Sequence, residues 1–207
     1  MLKILGKTTS INVRKVLWTC EEAGLDYLQE DYGSGFASTE TDAFRKLNPN
    51  AMVPVLIDGD FVLWESNAIC RYLVRKTGRD DLLSADPQAC ANIERWMDWQ
   101  ATEFNNAWRY VFPALGRKNP EFNDPARIAA GIKEWNHHIM ILEQQLQHTG
   151  VWVAGETFTL ADVVLGLSVN RWKMTPFEKP QVPAIEAWFE RLNQREAFLR
   201  HGNNGML

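Results

Sequence analysis

The chain changes rhythm about a third of the way along. Up to about residue 78, short apolar runs alternate with helical patterns. Residues 2–6 (LKILG) predict a strand. Residues 11–24 place Val13, Val16, Leu17 and Cys20 on one helical face, with Gly24 at the C-terminal stop. Residues 26–32 predict a weaker strand, and a short helix over 41–47 runs into the turn signal NPN. Two more strands, 53–57 and 60–64, are joined by Asp58-Gly59, a strong hairpin signal. Ser66 then opens a helix that ends near Gly78. The order β-α-β-α-β-β-α makes a mixed sheet, because strands joined through a helix run parallel and strands joined by a tight turn run antiparallel.

Past the polar connector GRDDLLSADPQ the strand signals nearly vanish. Residues 88–115 predict one long amphipathic helix through Ile93, Trp96, Met97, Phe104, Trp108, Val111, Phe112 and Leu115. A second helix spaces Ile128, Ile132, Trp135, Ile139, Leu142 and Leu146 alternately by four and three, and two more follow at 160–173 and 183–193. The expected organisation is an α/β domain over 1–79 and an all-helical domain over 88–207.

Composition narrows the function. A chain of 207 residues, 45% hydrophobic, is ample for a sizeable core. A net charge of -4 argues against a nucleic-acid or anionic-membrane surface. The apolar run at the start is too short for a targeting leader, and no stretch approaches the length of a membrane span. Three cysteines without a CxxC pair fit a reducing compartment, so the expected location is the cytoplasm. Of the four histidines, His137 and His138 are adjacent and diverge around their helix, and His148 and His201 form no metal spacing with them.

One stretch, AMVPVLIDGDFVLWESNAI (51–69), does not read as ordinary sheet. Proline cannot donate to a ladder, yet Pro54 sits in a strand-like run. Together with SINVRKVL, NPNAMVPVL, ESNAI and TFTLADVVLG in this order, the chain resembles the cytosolic glutathione S-transferases, in their bacterial, serine-type, theta-like branch. The resemblance covers nearly the whole chain and implies a thioredoxin-like N-terminal domain followed by an all-α domain. TFTLAD matches the family's buried capping motif, in which Asp162 reaches back to the Thr159 N–H and Phe158 and Val163 form a hydrophobic staple.

The resemblance also implies a site. A cis Val53-Pro54 bond would leave the Val53 N–H and carbonyl to pair with the tripeptide glutathione as one more strand. Glu65 would take the γ-glutamyl ammonium, and Ser66, at a helix N-terminus, the adjoining carboxylate; Ser66 also fits a plain N-cap. Ser10 matches the serine that activates the thiol in serine-type classes, Thr9 falls where the beta class has cysteine, and Asn12 matches an asparagine used by some bacterial relatives. Ser10 and Asn12 both also fit a capping role. The electrophile would lie under the long helix near Trp108, Arg109 and Phe112, whose alternatives are interdomain core for the aromatics and a solvated charge for Arg109.

Two departures stand out. Met52 replaces the Gln or Lys common before the Val-Pro pair, and residues 33–44 hold no basic residue for the glycyl carboxylate, leaving Lys7, Arg45 or Lys46 as substitutes. The implied activity is conjugation of the glutathione thiolate to a small hydrophobic electrophile, by substitution or addition, in a homodimer. Glutathione is then the co-substrate, with no metal or prosthetic group. The alternatives are a glutathione-dependent disulfide or peroxide reductase, or a non-enzymatic binding or scaffold protein on the same fold.

Overall fold

The computed structural model describes residues 1–206. Its first part is a four-stranded sheet with β1 (Leu2–Leu5), β2 (Tyr27–Glu30), β3 (Val55–Asp58) and β4 (Phe61–Trp64) in the order β2-β1-β3-β4. β1 pairs parallel with β2, Leu2 opposite Tyr27, and antiparallel with β3, Leu2 opposite Asp58. β3 and β4 are antiparallel. Between the strands lie α1 (Ile11–Glu22), α2 (Asp42–Leu47) and α3 (Ser66–Lys76). This is the mixed sheet that the alternation of patterns predicts, in the thioredoxin-like arrangement that the resemblance implies.

Two local details differ from expectation. β3 begins after Pro54, at Val55, so the proline never interrupts the ladder. The hairpin loop is Gly59-Asp60, one residue later than expected, and Gly59 supplies the positive φ of 62° at its first position. Asp58 is thereby released to accept from the Tyr72 hydroxyl at 2.6 Å and from Lys76 on α3.

The second part holds α4 (Pro87–Trp99), α5 (Asn105–Ala107), α6 (Pro125–Thr149), α7 (Leu160–Met174), α8 (Pro183–Leu192) and α9 (Glu196–His201). The single helix expected over 88–115 is not continuous. π-helical turns at Gln100–Phe104 and Phe112–Gly116, and a hydrogen-bonded turn at 108–110, divide it. α9 was not expected. It is only six residues long, but Phe198 packs on Trp18 of α1 with ring centroids 4.9 Å apart.

α1 joins the two halves. Val13, Val16, Leu17, Trp18 and Cys20 are buried, and the helix packs on α3 on one side and on α7 and α9 on the other. Because every face of α1 is covered, even Arg14 and Lys15 are buried. α7 is apolar around nearly its whole circumference and carries the capping box at its start. Asp162 there accepts from the Thr159 N–H, the Val153 N–H and Trp188 Nε1, each at 2.9 Å. Burial lifts the Asp162 carboxyl to about 6 despite these bonds.

Candidate active site

A cleft of about 860 Å³ opens between the two halves at the start of α1. Ser10, Asn12 and Val53 line it from the sheet side, and Trp108, Arg117 and Arg171 from the helical side. A second hollow of about 250 Å³ continues from it along Asn12, Met52, Val53, Pro54, Glu65 and Ser66. The two share Asn12, Met52 and Val53, so Ser10, Asn12, Val53, Pro54, Glu65 and Ser66 line one trough.

Ser10 occupies the N-cap of α1 with extended backbone, φ -84° and ψ 121°. Its carbonyl accepts the Arg14 N–H at 3.0 Å, yet its hydroxyl makes no cap bond. A serine in this position ordinarily spends its side chain on the helix end. Here the backbone does the capping geometry, and the hydroxyl is left without a cap bond on a residue that lines the cleft. The Asn12 amide, in the first turn, also has no hydrogen-bond partner among the described residues.

The Val53-Pro54 bond is cis. Val53 lies outside β3, and its N–H and carbonyl have no backbone partner among the described residues. Gly6 lets this segment approach β1: a Cβ at Gly6 would lie 2.9 Å from the Val53 Cβ and 2.5 Å from Val13 Cγ2. At the far end of the trough, Glu65 sits at φ 71° as the N-cap of α3, and Ser66 is the first helical residue. The plain N-cap expected of Ser66 therefore falls one residue earlier, on a glutamate whose side chain does not cap. Its carboxylate is exposed, and the buried Ser66 offers an unpaired helical N–H beside it.

The comparisons with known proteins decide the family. The glutathione S-transferase N-terminal domain matches residues 1–75 and the C-terminal domain residues 108–196. The chain belongs to the glutathione S-transferase family. Glutathione S-transferase GstB of Escherichia coli K12 is 34% identical over 199 residues, 95% of each chain. The theta class glutathione S-transferase of Xanthomonas axonopodis pv. citri, solved with glutathione bound, superposes with a TM-score of 0.92 at 37% identity, covering 100% of this chain and 99% of that one. Disulfide-bond oxidoreductase YfcG of Escherichia coli K12 is also similar, 29% identical over 201 residues, 90% of this chain and 87% of the relative. As a member of this family the chain is an enzyme with glutathione as co-substrate.

Within this transferase, the helical wall differs from the sequence reading. Trp108 does face the cleft, but Phe112 lies beneath the surface, in T-shaped contact with Trp108 at 5.7 Å. Arg109 is on another face altogether, bordering a groove with Tyr110, Glu134 and His138. The positive charges on the helical side of the cleft are Arg117, exposed at the rim, and Arg171, buried in the wall. Sequence reasoning missed both. Arg171 is the one cation inside the apolar α7 pattern LADVVLGLSVNRW, which is the signal that marks it.

Of the candidates for the glycyl end, Lys7 lines the cleft and donates to the Ser34 carbonyl at 2.8 Å. Arg45 is paired with Glu40, and Lys46 is exposed away from the trough. No cysteine lines the trough: Cys20 and Cys70 are buried, and Cys90 is half-buried at α4. Burial raises the Cys70 thiol to about 11 and Cys20 further still. Among the described residues no cluster of His, Cys, Asp and Glu is placed to hold a metal, and no helix is long and apolar enough to cross a membrane.

Proposed function

We propose that the enzyme conjugates the glutathione thiolate to small electrophiles, by substitution or addition. Glutathione would lie along the trough with its γ-glutamyl end at Glu65 and Ser66, its cysteinyl backbone on Val53, and its sulfur at Ser10 and Asn12. Lys7 is the cation available to its glycyl carboxylate. The observation that carries this reading is the unspent Ser10 hydroxyl, opening into the same cleft as Val53. We further place the enzyme in the cytoplasm, as a homodimer, with sheet domain 1–79 and helical domain 88–207; the three unpaired cysteines support a reducing compartment.

Magnitudes show what Ser10 can contribute. A free thiol with a pKa of about 8.5 is only ~3% thiolate at neutral pH. A hydroxyl donor and the α1 dipole, lowering that pKa by ~2 units, would raise the thiolate fraction about 25-fold. The weaker basicity costs nucleophilicity with a Brønsted slope of roughly 0.4–0.5, which leaves a gain of about 3-fold. Most of the acceleration must therefore come from holding the electrophile against the sulfur.

Similarity to the YfcG oxidoreductase favours a second reading, glutathione-dependent disulfide reduction. Without a cysteine in the trough, that route uses glutathione thiolates alone. Parallel assays separate the two: conjugation of chlorodinitrobenzene by absorbance, and reduction of a hydroxyethyl disulfide coupled to glutathione reductase. Conjugation above the uncatalysed rate, with no disulfide turnover, is the expected result. Disulfide turnover without conjugation would replace the first reading with the second.

A further inference from the structure

Arg171 is a buried cation without a counter-ion. It is only 2% exposed, and no carboxylate among the described residues lies within ion-pair distance. Its Nε is buried with no hydrogen-bond partner. What holds the guanidinium is aromatic: it lies 4.1 Å from the Phe112 ring centroid and 4.5 Å from that of Trp108. Buried charges are ordinarily paired, because desolvation alone is costly. Burial and two neighbouring arginines, Arg14 and Arg117, hold the Arg171 pKa down to about 9, which still leaves it cationic at neutral pH.

The surroundings repeat the pattern. Trp108 Nε1 is a second buried donor with no partner. Arg117 stands at the rim, 5.0 Å from the Phe112 ring, and has no acidic partner either. Lys7 is the other charged residue lining this cleft, and no Asp or Glu lines it, although the whole chain carries a net charge of -4. Such a cleft attracts and orients anions. Glutathione accounts for only part of it, since its ammonium and its carboxylates are met by Glu65, Ser66 and Lys7 on the sheet side.

The geometry points to a carboxylate-binding subsite formed by Arg171, Arg117 and Trp108, so that the favoured electrophile is a small organic acid whose reactive carbon lies next to its carboxylate. This rests on the transferase reading above and narrows its substrate to α-halocarboxylates and similar acids. In the step itself the glutathione sulfur forms a bond to the α-carbon while the carbon–halogen bond breaks. The halide leaves with the bonding pair, and the thiol proton goes to solvent. A guanidinium offers the fork that a carboxylate accepts in two parallel bonds, which fixes the α-carbon toward the sulfur.

The test uses two glutathione conjugates that differ in one charge, S-carboxymethyl- and S-carbamoylmethylglutathione, titrated calorimetrically. We expect the wild-type protein to bind the carboxymethyl conjugate at least ten-fold more tightly. Arg171→Gln and Arg117→Gln should each erase most of that preference while changing the affinity for glutathione itself less than two-fold. Arg117 is exposed, so its variant folds even where Arg171→Gln does not. Turnover of chloroacetate against chloroacetamide, each divided by its uncatalysed rate, should show the same preference. Equal binding of the two conjugates by wild-type protein overturns the subsite and leaves the transferase reading standing. Equal weakening of glutathione and both conjugates by the variants also overturns it, because the arginines would then serve glutathione. Binding of neither conjugate nor glutathione overturns both.

Discussion

Lys15 Nζ donates to Gln100 Oε1 at 2.7 Å, from α1 in the sheet half to the first π-helical turn in the helical half. The same ammonium reaches Asn67 Oδ1 at 3.2 Å on α3, and Gln100 Nε2 passes the chain on to Ser168 Oγ at 2.9 Å on α7. Four elements are thus tied by a buried polar network, one turn below Ser10 and Asn12. The orientation of the α1 N-terminus, and with it that of Ser10 and Asn12, depends on this connection.

The network carries a pH signature. Burial among neutral acceptors lowers the Lys15 pKa from 10.5 to about 8. Between those values the unfolded chain binds more protons than the native one, so this group makes stability rise with pH from about 8 to 10.5. The full difference is on the order of 3 kcal/mol. Lys15→Met should lose that rise. Urea unfolding of both proteins at pH values across the window checks it; parallel curves would mean that water reaches the ammonium.

If the Ser10 hydroxyl donates to the thiolate, Ser10→Ala raises the pKa of bound glutathione, read as thiolate ultraviolet absorbance against pH. A rise of one unit, from about 6.5 to about 7.5, cuts the thiolate fraction at neutral pH about 3-fold, but the stronger nucleophile returns most of it, so kcat/KM falls by less than about 2-fold there and the loss is gone at high pH. A larger neutral loss means that Ser10 also positions the sulfur. Asn12→Ala is run beside it. A titration moved by the asparagine variant alone makes Asn12 the activator.

Glu65→Gln keeps the side-chain shape and removes the charge. Because this carboxylate is exposed in the trough and caps nothing, the fold should be unaffected, with Tm within a degree or two. Glutathione affinity should fall about ten-fold or more, as a charge-assisted bond to the ammonium is lost. Calorimetry on the folded variant decides, and unchanged affinity removes Glu65 from the site.

Arg109→Ala should leave kcat/KM within about two-fold of wild type for neutral and anionic electrophiles alike, a surface substitution away from the cleft. A selective loss with halide-leaving substrates would restore the role that its place beside Trp108 implies.

The sheet and most helices are legible because each is announced by a period, and the hairpin and helix stops because glycine marks them. The trough residues Val53, Pro54, Glu65 and Ser66 are legible because they are consecutive along two short segments. The helical wall is harder. Trp108, Arg117 and Arg171 come from three separate segments, and no local pattern connects them. Arg171 also sits in the last turn of α7, where a cation reads as a complement to the helix dipole. Arg109 borders a different groove, and the sequence around it gives no sign that its helix leaves regular geometry.

In a regular helix the face presented to the cleft is a matter of residue count, and the π-helical turn at Gln100–Phe104 changes that. Each residue of an α-helix advances the chain by about 100°. A surplus residue in a regular helix would swing everything downstream round by that angle, and the wider turn takes up the surplus instead. Removing one residue from this turn would therefore return it to regular α-helix and leave Trp108 at the cleft. The turn gives the long helix slack, so that a change of one residue in length here need not alter the face shown to the cleft.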